Sequence, residues 1–136
     1  MTRQETAGLF WEDLAADLQD PEFLREYIST SVQVATVDAV LNRLDDARES
    51  AGLSKADVAR AISANPAVVR RLFSAADANP TLGTLARVAA ALGLRITVEP
   101  LDADDLATVT EPLQSGTATD LRAVAEAAQR RQPEPV

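Results

Sequence analysis

Few kinds of side chain in this 136-residue sequence can do chemistry, because it contains no cysteine and no histidine. Disulfides, thiolate nucleophiles, imidazole bases and nearly all zinc or transition-metal sites are thereby excluded. Carboxylates, hydroxyls and cations remain. No glycine-rich phosphate loop and no convincing carboxylate pair is present, so neither catalysis nor a cofactor is expected. Asp102-Ala103-Asp104-Asp105 starts like a calcium loop, but Leu106 takes the fifth position and no glycine follows; a solvated helix cap is the expectation. Usable charge concentrates elsewhere. Between Leu53 and Phe73 stand Lys55, Arg60, Arg70 and Arg71 against Asp57 alone. A local cluster of this kind attracts phosphate whatever the distant charges are, since screening sets in beyond ~8–10 Å at physiological salt.

The elements that must position these cations are legible in LSKADVARAISANPAVVRRLF, which reads as two short helices joined by a tight turn. Ser54 can accept a free amide of the first turn, and Asp57 suits the positive end of that helix. Val58, Ala59 and Ile62 make one apolar face, which Ser63-Ala64 interrupts. Asn65 caps the second helix, and Pro66 takes its first position, where a missing N–H costs nothing. Val69, Leu72 and Phe73 face inward; Ala67, Val68, Arg70 and Arg71 face outward. The small Ala59 would let the two helices cross closely, as a helix-turn-helix requires.

Before this stretch, residues 1–8 read as frayed. Phe10, Leu14 and Leu18 share a helical face with Trp11 beside it. Asp20-Pro21 starts a second helix striped by Phe23, Tyr27, Ile28 and Val32. Phe10, Trp11, Phe23 and Tyr27, four of the five aromatics, could pin this pair of helices onto the core or form a partner surface. Ser31–Val37 is ambiguous between strand and helix, and is read as helix end plus connection. A new helix then carries Val37, Val40, Leu41, Leu44, Ala47 and Ala51 and ends at Gly52; Asp45, Asp46, Arg48 and Glu49 read as its solvated face.

After the two-helix stretch, Ser74–Pro80 reads as a loop. Thr81 caps a helix with Leu82, Leu85, Val88, Ala89 and Leu92 inward, and Gly93 stops it. Leu94–Glu99 alternates as a strand does. A lone strand needs a partner, and pairing Arg95, Ile96, Thr97, Val98 and Glu99 with a second copy is the simplest dimer. Residues 101–120 read as a loose acidic linker. Asp120 starts a last helix, with Leu121, Val124, Ala125 and Ala128 on one side, and RRQPEPV is read as a disordered tail. The expected architecture is mainly α, with a helical extension (1–36), a helix-turn-helix domain with a terminal strand (37–100), and an acidic linker plus helix (101–136).

The net charge of −8 divides unevenly. Residues 1–36 carry 2 basic and 7 acidic groups, residues 37–100 carry 8 and 7, and residues 101–136 carry 3 and 7. The flanks thus hold −5 and −4 and the middle +1. No apolar run approaches the ~20 residues of a membrane span and the amino terminus lacks a signal-peptide core, so a soluble cytoplasmic protein is expected.

On these residues the sequence resembles the lambda-repressor-like (XRE) helix-turn-helix regulators, and Ala78–Glu99, ANPTLGTLARVAAALGLRITVE, resembles the helix that follows in HigA-type antitoxins. The resemblance covers roughly residues 37–100 and implies a homodimer on palindromic, double-stranded operator DNA. It implies base-reading places at Pro66 and Ala67, with Val68, Arg70 and Arg71 nearby, and Lys55 at the start of the supporting helix; with apolar groups at the reading places, specificity would fall on Arg70, Asn65 and Lys55, or on DNA shape. Relatives often place hydrogen-bonding residues where Pro66, Ala67 and Val68 offer only apolar contact, and a turn glycine where this chain has Ser63. The function implied is an autoregulating repressor, the antitoxin of a type II pair whose partner is a basic toxin. A phage or prophage immunity repressor, or an interaction module without DNA binding, are the alternatives.

Overall fold

The computed structural model describes residues 3–75 and 78–132. Residues 1–2, 76–77 and 133–136, which take in the ends of the frayed start and tail and the middle of the 74–80 loop expected above, lie outside the described residues. Helices follow one another as α1 (Arg3–Leu18), α2 (Pro21–Ser50), α3 (Lys55–Ala61), α4 (Pro66–Ser74), α5 (Leu82–Ala91), α6 (Ala103–Asp105), a π-helical stretch (Leu106–Thr110), α7 (Glu111–Ser115) and α8 (Leu121–Arg131). The chain forms two compact units. A middle unit is Thr36–Glu99, and a terminal unit joins Met1–Ala35 to Pro100–Val136.

The connection expected at Ser31–Val37 does not exist: α2 runs through it as one helix of 30 residues. The valines there lower helix propensity by only tenths of a kcal/mol each. Neither glycine nor proline occurs between Glu22 and Ala51 to stop the helix. Although α2 is long, no helix among the described residues is both long and apolar enough to cross a membrane.

The middle unit packs α3, α4 and α5 against the last turns of α2. Its core is Leu44, Val58, Ala59, Ile62, Val69, Leu72, Leu85, Val88 and Ala89. Leu82, expected inward, is 68 % exposed; it opens α5, a turn before the packed face begins. Three helices here end in the same way. The amides of Gly52 and Leu53, Ser63 and Ala64, and Gly93 and Leu94 return to carbonyls of the last turns of α2, α3 and α5, closing each in a Schellman motif. The terminal strand is a correction. Residues 94–100 are irregular, and no strand occurs among the described residues. The alternation of Ile96 and Val98 has no neighbouring backbone to pair with, and Val98 is 98 % exposed.

The terminal unit is built from α1, the first half of α2 and the segment after Pro100. Leu18, Leu24, Ile28, Val109, Val124 and Ala125 form its core, with Trp11, Leu14, Tyr27 and Leu113 packed around them. Residues 103–115, read from the sequence as linker, are helical. Their order comes from distant partners: Arg25 donates to the carbonyls of Leu113 at 3.0 Å and Gln114 at 3.2 Å, closing the end of α7. Pro112 lies where the π-helical stretch passes into α7, so its missing N–H interrupts the ladder of a continuous helical run. Of the aromatics, Trp11 carries the Arg122 guanidinium 5.2 Å from its ring centre, while Phe10 remains 61 % exposed.

Candidate nucleic-acid interface

The supporting helix α3 is tied at its start. The Ser54 hydroxyl accepts from the Asp57 amide at 3.0 Å, and the Asp57 carboxylate accepts from the Ser54 amide at 2.8 Å, a reciprocal capping box. These bonds, with help from Arg60, hold the Asp57 carboxyl below its ordinary pKa. Arg60 is ion-paired to Asp57, so part of its charge is spent within the helix. Lys55, the first residue of α3, is half-buried.

Between α3 and α4 the chain turns at Ser63, whose φ of 54° is the one left-handed non-glycine backbone among the described residues. The turn is held from outside by Arg87 of α5, which donates to the Ile62 carbonyl at 3.2 Å. Arg48 does similar work at the end of α2. It bonds Asp45 at 2.8 Å and the Leu53 carbonyl at 2.8 Å, and lies 5.9 Å from the Phe73 ring centre. Its side chain is only 13 % exposed, so it is a clamp between α2, the start of α3 and α4 rather than the solvated charge its sequence position suggested.

Helix α4 begins at Asn65, whose side-chain oxygen accepts from the Ala67 amide at 2.9 Å. The cap uses that oxygen and leaves the amide NH2 as the group free to act as a donor. With Val69 and Leu72 buried, the 100° step of the helix sets Ala67, Arg71 and Ser74 on the side opposite the core, with Arg70 beside them. Pro66, Val68, Arg70 and Arg71 are exposed and Ala67 is half-buried. Among the described residues neither Arg70 nor Arg71 is in an ion pair. Val68 and Arg71 also line a groove of about 440 Å³ with Asn79, Thr81 and Thr84. The sequence does not bring these last three together with α4. Thr81 was legible only as a cap, which it is: its hydroxyl accepts from the Thr84 amide at 3.1 Å. Its place beside α4 depends on the fold.

The residues expected to pair two copies, Arg95, Ile96, Thr97, Val98 and Glu99, are all exposed. Arg95, Ile96 and Thr97 line a groove of about 370 Å³ with Val40 and Leu44 of α2 and Ala89 of α5. The arrangement offers an exposed cationic helix, α4, on a well-capped base, the kind of surface that contacts phosphate and base edges.

Residues 44–98 match the family model described as Helix-turn-helix. The match is of the XRE type and supports a DNA-binding transcription regulator. It begins in the last turns of α2 and runs through α3, α4 and α5 to Val98, within the middle unit. No curated protein and no solved structure matches the chain.

Proposed function

We propose that the protein is a cytoplasmic transcriptional repressor that binds operator DNA as a homodimer, and that it serves as the antitoxin of a type II pair. The observation that carries the DNA-binding part is the exposed, unpaired Arg70–Arg71 face of α4 within a segment that matches the helix-turn-helix family. In this reading α4 enters the major groove and Lys55 meets phosphate at the start of α3. Asn65, Pro66, Ala67 and Val68 approach base edges, the last three through apolar contact such as thymine methyls. Self-association would use the exposed residues after α5, Arg95 to Glu99, with Ile96 and Val98 as its apolar members. The antitoxin reading is supported by the acidity outside the middle unit, which would speed encounter with a basic toxin. A phage-type repressor would share every DNA-binding feature and lack the protein partner.

The test is a mobility-shift titration with DNA from upstream of the protein's own gene. A palindromic site with half-sites about one helical turn apart, ~34–36 Å, is expected. Retardation that survives only on unrelated DNA, or none, would sink the repressor reading.

A further inference from the structure

On the terminal unit, α2 shows solvent a second apolar stripe besides the face buried in the core. Phe23, Tyr27, Thr30 and Val34 follow at intervals of four, three and four residues, the spacing that keeps side chains in one line on a helix. Leu24 and Ile28, both 0 % exposed, point into the core, about 100° round from the stripe. Phe23 is 39 % and Val34 50 % exposed, and the Phe23 and Tyr27 rings stack with centres 6.3 Å apart. Ala128 of α8 forms the other wall, giving an open groove of about 360 Å³. From Phe23 to Val34 it extends ~16 Å along α2, about three helical turns.

Charge says what fits there. On the open side of the stripe, Glu22 and Glu26 lie one turn apart, both exposed. Neither is in an ion pair among the described residues. Of the nearby cations, Arg25 donates to carbonyls of α7, and Arg131, 18 % exposed, reaches Ser31 through Nη1 at 3.4 Å while its Nη2, 4.0 Å from Asp105, makes no hydrogen bond. The unit as a whole carries 5 basic and 14 acidic residues, a net −9.

We propose that this groove is the docking site for a basic amphipathic helix of a partner protein. The helix would lay its apolar side on Phe23, Tyr27 and Val34 and set Lys or Arg against Glu22 and Glu26. The site does not depend on DNA binding, and it stands whether or not the partner is a toxin.

The test titrates the full chain with a fluorescent helical peptide of leucine and lysine, and with its counterpart carrying glutamate for lysine. Binding of the lysine peptide alone is expected, weakened at least tenfold by Val34→Asp and by Phe23→Ser, with melting curves showing both variants folded. The Val34→Asp result separates docking from plain charge attraction, because the added carboxylate makes the unit still more acidic. Binding unchanged or strengthened in both variants would overturn the proposal, as would equal binding of the glutamate peptide. If the chain alone sediments as a dimer that Val34→Asp dissociates, a second copy fills the groove and the basic-partner assignment is wrong.

Discussion

The two units of this chain are held together by contacts of different reach. In the middle unit most ordering bonds are local, Ser54 with Asp57, Asn65 with Ala67, Thr81 with Thr84, and the closing turns at Gly52, Ser63 and Gly93, and the longest, Arg87 to Ile62, spans 25 residues. In the terminal unit they span most of the chain: Arg25 reaches Leu113, 88 residues on, and Arg131 reaches Ser31, 100 residues back. Charge follows the same division, with +1 on the middle unit and −9 on the terminal one. A single acidic polypeptide thus combines a nearly neutral unit, with a locally cationic α4, and a strongly acidic one.

The comparison can be stressed first where both units are most vulnerable. Leu24→Ala in the terminal core and Leu72→Ala in the middle core should each cost about 2–5 kcal/mol, as buried leucines do, read from urea denaturation. Equal midpoints for Leu72→Ala and the native chain would show that the inner face of α4 is misassigned.

Two of the left-handed turns, one in each unit, should respond with opposite signs. At Gly116, with φ of 77°, an added Cβ would sit 3.0 Å from Pro21 Cβ and 3.1 Å from Arg25 Cζ. Gly116→Ala should therefore cost more than the roughly 1–2 kcal/mol of left-handed strain alone. Ser63→Gly should instead stabilise the middle unit by up to about 1 kcal/mol, strain relief being partly offset by the freer unfolded chain. A loss of stability in Ser63→Gly would show that Ser63 makes contacts worth more than its strain.

A smaller effect separates the two arginine clamps. Arg48→Met gives up bonds to Asp45 and the Leu53 carbonyl from a side chain only 13 % exposed. It should cost about 1–3 kcal/mol. Arg25→Met, at an exposed position, should cost less, about 0.5–1.5 kcal/mol. Thermal melts of the two variants give the order.

The smallest effect is acid sensitivity at the α3 cap. The Asp57 carboxyl is held below its ordinary 3.8 in the folded chain by bonds from Ser54. Its contribution is thus fully present above about pH 4 and is lost as pH falls through the folded value. The native chain should lose more stability than Asp57→Asn between pH 6 and pH 3; parallel losses would show that the cap is not titrating.

The same difference in reach decides how much the sequence discloses. Caps at Ser54, Asn65, Thr81 and Asp120, and stops at Gly52 and Gly93, are written in two to four adjacent residues and are found in the structure. Residues 103–115 are bracketed by such signals, the Asp102 cap, which accepts from the Asp105 amide at 2.8 Å, and the left-handed Gly116, but the acidic, proline-broken run between them reads as linker and is ordered by Arg25 and by Leu24 and Ile28 far upstream. Ser31–Val37 misleads in the other direction: its valines alternate like a strand, yet nothing there interrupts the helix. Leu94–Glu99 alternates too, and has no partner backbone. At the interface, Arg70 and Arg71 could be placed on the outer side of α4 from the periodicity alone. Arg48 and Arg87, which hold that helix and its turn, could not, since their partners lie in other elements.

The central claim is that α4 of the middle unit grips DNA through Arg70 and Arg71. The most direct measurement is the salt dependence of binding to upstream DNA by fluorescence anisotropy, for the native chain, Arg70→Ala and Arg71→Ala. Each phosphate contact removed should reduce the slope of log K against log salt by about 0.9. Shallower slopes and weaker binding in these variants, with unchanged melting, are the predicted result. Native slopes and affinities in both would contradict the account and move nucleic-acid contact, if any, to another face.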